Sequence, residues 1–217
     1  MKKQSGRMVV RNAAAGRAAL LLAVITTAGA APVGGAAAAP AEQPAAASQP
    51  TQLPAGKQTT LGLYLTAREA YESWKKAPDK VIVLDVRTPE EYLFTGHADM
   101  AWNIPVASQS YVWDAEKKQF PMQLLPDFVA RAQKVAKPDD TLLVMCRSGG
   151  RSAMAVNLLA KAGYRNVYNI VDGFEGDLVE DPDSLFNGQH LVNGWKNAGV
   201  PWTYKADPER MVLPTDR

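Results

Sequence analysis

Cys146 is the only cysteine of this 217-residue chain. It stands between a short apolar run, Thr141–Met145 (TLLVM), and the loop Arg147-Ser148-Gly149-Gly150-Arg151-Ser152. The thiolate is the nucleophilic form of cysteine, and the surroundings favour it. Glycines at 149 and 150 let backbone N–H groups turn inward and form a nest for an anion. Ser152–Ala162 (SAMAVNLLAKA) is apolar around most of its circumference and reads as a buried helix. Its positive dipole end, from about Arg151, points at the same place, and Arg147 and Arg151 add formal charge. A lone cysteine is otherwise a small buried hydrophobe. Here the flanking residues contain nothing that wants a core and much that suits an anion, so the chemistry expected is attack by a sulfur anion.

A strand must deliver this sulfur and a helix must follow it. The rest of the chain supplies the same alternation. Thr66-Ala67-Arg68-Glu69 is a capping box, and Ala67, Ala70, Tyr71 and Trp74 give the apolar face of the helix it starts. Val81–Val86 (VIVLDV) is a continuous β-branched run, as expected of a central parallel strand covered on both faces. Thr88-Pro89-Glu90-Glu91 is a second capping box with proline at the first helical position, opening a short helix to about Phe94. Further strands are expected at Ala101–Ile104 and Tyr168–Val171. A helix is expected over Leu125–Ala136, with Phe128, Val129, Ala132 and Val135 facing inward. The fold class expected is therefore α/β: three layers, a mostly parallel sheet of about five strands with helices on both faces.

Ligands bind such sheets outside the carboxyl ends of the strands, where both Cys146 and the Asp85-Val86-Arg87 turn lie. Asp85 and Arg87 are candidates to support that cleft. Asp85 is expected to tie loops together as an acceptor, and Arg87 to act as its ion-pair partner or as an anion contact. The two histidines, His97 and His190, and the one cysteine have no close spacing, so no zinc site is expected. No histidine adjoins Cys146, because Met145 precedes it.

The N-terminus reads differently. Met1–Arg17 carries Lys2, Lys3, Arg7, Arg11 and Arg17 without an acid, and Ala18–Ala31 is apolar, alanine-rich and short for a membrane span, the pattern of a secretory signal peptide (1–38), with an uncleaved membrane anchor as the competing reading. Removing those five basic residues from the 24 present leaves 19 against 22 acidic ones, a net charge of −3. With no basic stripe, nucleic-acid binding is not expected, nor is stable membrane association after cleavage. Residues 39–60, rich in Ala, Pro, Gln and Ser, are expected to be a disordered linker. One domain over 61–205 and a tail over 206–217 follow. A single exported cysteine forms no internal disulfide, and it is a liability unless it works.

Cys146–Ser152 resembles the active-site loop of single-domain rhodaneses, in which arginine follows the cysteine five positions later. LDVRTPEEY (84–92), GHADMAWNIP (96–105), AGYRNVYNIVDGFEG (162–176) and GVPW (199–202) also resemble rhodanese blocks, in order. The resemblance implies a sulfurtransferase. Cys146 attacks the outer sulfur of a small anionic donor such as thiosulfate and carries it as a persulfide to a thiol, cyanide or a sulfur-carrier protein. It further implies that Arg147, Ser148, Gly149, Gly150, Arg151 and Ser152 bind the donor, and that no metal, flavin or nucleotide cofactor is needed. His97 falls in the GH-x-x-x-A-x-N-I-P block, where it packs and hydrogen-bonds the loop.

Phosphatases of this fold place five residues between cysteine and arginine, usually with histidine before the cysteine. Here there are four, Arg147–Gly150, and no such histidine. A sulfur carrier or a non-catalytic binding module of the same fold is the alternative. Two departures from the family pattern stand out: Met100 where glycine is common, and a long segment 108–120 containing Tyr111 and Trp113, read as a solvated loop pinned by aromatics, the alternative being a border of the cleft that recognises a partner. The acidic stretch 177–193, which contains His190, reads as an insertion or lid.

Overall fold

The computed structural model describes residues 53–214. The expected signal peptide and the linker up to residue 52 lie outside the described residues.

A five-stranded parallel sheet forms the centre. Its strands are β1 (Tyr64–Leu65), β2 (Val81–Asp85), β3 (Trp102–Asn103), β6 (Thr141–Met145) and β7 (Val167–Ile170), in the spatial order β1-β7-β6-β2-β3. The two continuous apolar runs lie side by side, β2 against β6, from Val81 opposite Thr141 to Asp85 opposite Met145. Each has helices on both faces, which is why neither shows polar alternation. Four α-helices connect the strands: α1 (Ala67–Lys76), α2 (Pro89–Thr95), α3 (Phe128–Ala132) and α4 (Gly150–Lys161).

Two apolar layers hold these elements together. On one face Leu84, Val86, Leu142, Val144 and Cys146 pack with α3 and α4 through Phe128, Ala132, Ala155, Val156 and Leu159. On the other, Val83, Leu143, Met145 and Ile170 pack with Ala67 and Ala70 of α1 and with Phe174 and Trp195. Each fully buried Leu or Val contributes roughly 1.5–3 kcal/mol. Both capping boxes form. Thr66 caps α1 with Glu69, and Thr88 caps α2 with Glu91.

Four expectations about this scaffold change. The helix expected over Leu125–Ala136 is only Phe128–Ala132: Pro126 disfavours a helical backbone at Leu125, whose N–H closes a hairpin on the Val106 carbonyl instead. That hairpin, β4 (Ala107–Gln109) with β5 (Met122–Leu124), carries the long segment, and Trp113 meets Phe120 edge-on at its tip.

The domain also extends beyond 61–205 at both ends. Residues 53–60, expected in the linker, make a 3-10 turn at Ala55–Lys57. From there the Thr60 N–H and hydroxyl both donate to Asn157 of α4. Residues 206–214, expected as a tail, fold back along β3. The Val212 N–H donates to the Asn103 carbonyl, and Arg131 donates to the Val212 carbonyl.

Candidate active site

Cys146 follows β6 directly, and its side chain lies on the α3/α4 face of the sheet. The chain then turns through Arg147–Gly149 into α4. The turn needs Gly149 in a left-handed conformation, φ +96°. A Cβ there would also sit 2.2 Å from the Val171 carbonyl oxygen. The tight turn brings the Gly149 N–H to 3.2 Å from Cys146 Sγ, and Ser152 Oγ to 3.5 Å. The first N–H groups of α4, which follows at Gly150, have no intrahelical acceptor. The loop's other side is backed by Phe174, whose N–H donates to the Cys146 carbonyl, and by Glu175 and Gly176, which donate to the Arg147 carbonyl. Cys146 is 2% exposed, so the sulfur lies at the floor of the loop.

The loop arginines differ in role. Arg147 is exposed, and its guanidinium has no hydrogen bond or ion pair among the described residues. Arg151 is engaged: its two terminal nitrogens each donate at 2.6 Å to a different oxygen of Glu91. Burial would raise the Glu91 carboxyl, but the Arg151 hydrogen bonds and charge, with the Thr88 amide and Arg87, hold it below its ordinary pKa. Burial opposes the Arg151 charge in the same way, and Glu91 outweighs that, so Arg151 titrates above its ordinary value. Of the two charges expected to face a ligand, only Arg147 is unneutralised.

Asp85 and Arg87 are brought to the carboxyl end of the neighbouring strand but not into the cleft. Asp85 alternates with Leu84 and Val86, which face Cys146, and so points to the opposite side of the sheet. Both residues are fully buried. Arg87 donates to both Asp85 oxygens, to Thr95 and to the Gly96 carbonyl, and its guanidinium lies 4.1 Å from the Phe174 ring centre. Glu175 adds an ion pair at 3.6 Å without a hydrogen bond. The pair ties together the turn, the end of α2 and the loop that backs Cys146.

His97 is buried, stacked on Tyr92 at 3.7 Å with Nδ1 on the Tyr92 carbonyl; His190 Nδ1 meets the Gly176 carbonyl. Neither contact reaches the sulfur. Met100, where glycine is common, is buried in the α1 layer. Among the described residues no group of three or more His, Cys, Asp or Glu is placed to hold a metal ion.

Three residues of the site escape a reading of the sequence: Glu91, whose capping role hides its bond to Arg151, Asn169 and Lys57. Asn169 carries a signal, an amide inside the apolar run Val167–Val171, which has to find partners if buried. The Lys57 carbonyl accepts from that amide, and its ammonium pairs with Asp177 at 2.6 Å.

A glycine-bent loop joins a strand-end thiol to a helix N-terminus and sets the Gly149 N–H against the sulfur. The profile of the Rhodanese-like domain matches residues 66–178, more than half of the chain. The chain belongs to the rhodanese-like family. An uncharacterized Rickettsia prowazekii protein is 32% identical over 130 residues, covering 58% of this chain and 85% of that one. An Arabidopsis thaliana protein named thiosulfate sulfurtransferase 16, chloroplastic, is 37% identical over 91 residues, 42% of this chain and 68% of its own length. Among solved structures, the M. tuberculosis protein Rv0390 superposes with a TM-score of 0.51 at 26% identity, covering 65% of this chain and 96% of that one. In this rhodanese-like domain the N-terminal segment 53–65 and the C-terminal residues 179–214 lie outside the profile match and pack onto it nonetheless.

Proposed function

We propose that the protein is an exported sulfurtransferase that takes sulfane sulfur from thiosulfate or a related donor, holds it on Cys146 and passes it to a thiophilic acceptor. The observation that carries this reading is the Gly149 N–H at 3.2 Å from Cys146 Sγ, at the head of α4. The name of the Arabidopsis relative supports sulfur chemistry. The basic and apolar N-terminal residues support export.

In the first step the Cys146 thiolate attacks the outer sulfur of thiosulfate. The bond from Sγ to that sulfur forms, the bond to the sulfonate sulfur breaks, and sulfite leaves with the electron pair. The negative charge then rests on the terminal sulfur of the persulfide, where the loop N–H groups are preorganised to receive it. In the second step cyanide or a thiolate attacks that terminal sulfur and restores the Cys146 thiolate. Arg147, exposed and unneutralised, draws the dianionic donor in. Arg151, bound to Glu91, braces the loop instead.

Intact-protein mass spectrometry before and after thiosulfate tests the reading. A reducible gain of one sulfur, roughly 32 Da, in the wild type and none in Cys146→Ser is expected. No gain with thiosulfate, polysulfide or an organic persulfide overturns it in favour of a non-catalytic binding module.

A further inference from the structure

Asn169 lies fully buried within β7, between apolar neighbours. A buried amide needs partners for its donors and its acceptor, and this one finds all of them around Cys146. Nδ2 donates to the Gly149 carbonyl at 3.1 Å and to the Lys57 carbonyl at 3.0 Å. Oδ1 lies 2.7 Å from Ser152 Oγ. The two carbonyls fix the amide's orientation, since a flip would set oxygen against two oxygens.

The Ser152 hydroxyl has one hydrogen and two neighbours competing for it. Asn169 Oδ1 is at 2.7 Å and Cys146 Sγ at 3.5 Å. The closer acceptor takes it, which turns the hydroxyl's lone pairs toward the sulfur. That arrangement accepts a hydrogen from a thiol. An anionic sulfur requires the reverse, with the hydroxyl hydrogen turned toward it.

We infer that Asn169 is a positioning residue for Cys146, which sets whether Ser152 receives a hydrogen from the sulfur or donates one to it. This rests on the reading of Cys146 as the sulfur carrier. In the protonated state a chain of hydrogen bonds runs from Sγ–H through Ser152 Oγ to Asn169 Oδ1. When the sulfur becomes anionic, as thiolate or persulfide, the Ser152 hydrogen leaves Asn169 for the sulfur. Meanwhile Nδ2 keeps Gly149, the other donor to Sγ, fixed between the sheet and residues 55–58. The charged groups around the loop are Arg147, the Arg151–Glu91 pair, the Lys57–Asp177 pair, Glu175 and, across the sheet, the Asp85–Arg87 pair. Replacing Asn169 alters none of their charges.

The single cysteine makes the test direct, because any S–H stretching band in the infrared belongs to Cys146. At about pH 5, well below the ordinary thiol pKa, the wild-type band is expected below that of a free thiol. Ser152→Ala should raise it. Asn169→Leu should raise it too, since a chain that loses its terminal acceptor polarises less, and the double variant should go no further than Ser152→Ala. In thiosulfate–cyanide assays below its unfolding transition, Asn169→Leu should lose on the order of 10- to 100-fold in kcat with KM for thiosulfate little changed. A merely structural residue would lower the unfolding midpoint and move neither the band nor kcat. Should Asn169→Leu fail to fold, the β-branched Asn169→Val, which also lacks an acceptor, carries the same expectation.

The inference is overturned by a wild type without an S–H band, by a band that Asn169→Leu leaves in place, or by an unchanged kcat. The infrared arm needs no sulfur donor, so a wild type that takes up no sulfur overturns the sulfurtransferase reading while the band still decides the role of Asn169.

Discussion

Arg151 and Glu91 form a two-pronged pair, each guanidinium nitrogen 2.6 Å from its own carboxylate oxygen, and this pair joins the head of α4 to the first turn of α2. One Glu91 oxygen also accepts the Thr88 N–H at 3.0 Å, so a single carboxylate caps one helix and anchors the Cys146 loop. Glu91→Gln should therefore destabilise the fold by on the order of 2 kcal/mol near neutral pH, less than for a fully buried pair because both side chains keep some solvent contact. The folded Glu91 pKa is depressed, so its stabilisation is full above the unfolded carboxyl value and fades as pH falls through the folded one. Urea midpoints of the two proteins should converge below about pH 4; a gap that stays constant into acid contradicts the assignment.

The Asp85–Arg87 pair has no solvent contact. Arg87→Leu leaves a buried carboxylate without its guanidinium and should cost about 3–5 kcal/mol, a large part of a domain's total stability. Calorimetry should show a strongly lowered or absent transition. A near-wild-type transition would mean that Asp85 takes up a proton or finds another partner.

Arg147 has the opposite character. Arg147→Ala should change stability by no more than about 0.5 kcal/mol. It should lower kcat/KM for dianionic thiosulfate more than for a singly charged alkyl persulfide, and flatten the salt dependence of the thiosulfate reaction. Equal losses with both donors would remove the steering role.

Gly149→Ala places a Cβ at φ +96° and 2.2 Å from the Val171 oxygen. The loop must shift, at a cost of about 1–3 kcal/mol, and the N–H that faces Cys146 shifts with it. Sulfur uptake by mass spectrometry should fall steeply at temperatures where the variant is still folded. Uptake at the wild-type rate would show that this donor is dispensable.

Replacing the hairpin tip, residues 110–121, by Asn-Gly should leave the unfolding midpoint and thiosulfate–cyanide turnover close to wild type, since a two-residue turn closes β4 on β5 and the tip's Tyr111 and Val112 are exposed. Lost turnover with an intact fold would make the hairpin part of the site.

The elements that depend on local chemistry were legible in the sequence: both capping boxes, the two continuous apolar strands, and the thiol between strand and glycine loop. β1 was not, because two residues, Tyr64 and Leu65, carry no period, and their strand exists only by pairing with β7. α3 is shorter than its apolar spacing suggests because Pro126 disfavours a helical backbone at Leu125, a breaker inside the apolar spacing. Residues 53–60 lack the apolar content of a packed segment, and polar bonds to Asn157, Asn169 and Asp177 hold them instead. Arg151 and Glu91 were both visible, but their sixty-residue separation concealed that one neutralises the other.

The C-terminal segment that folds back along β3 has a consequence for the protein in crowded solution. A parallel sheet ends in rows of unpaired N–H and C=O groups that recruit strands from other molecules. Here Met211 bridges to Asn103 and the Val212 N–H takes the Asn103 carbonyl, so the chain occupies its own β3 rim. At the other rim β1 offers only Tyr64 and Leu65, too short a template for a foreign strand. The sheet is thus guarded against self-templated aggregation by Met211 and Val212, and a protein cut before Met211 would open one side of it to fibrous growth.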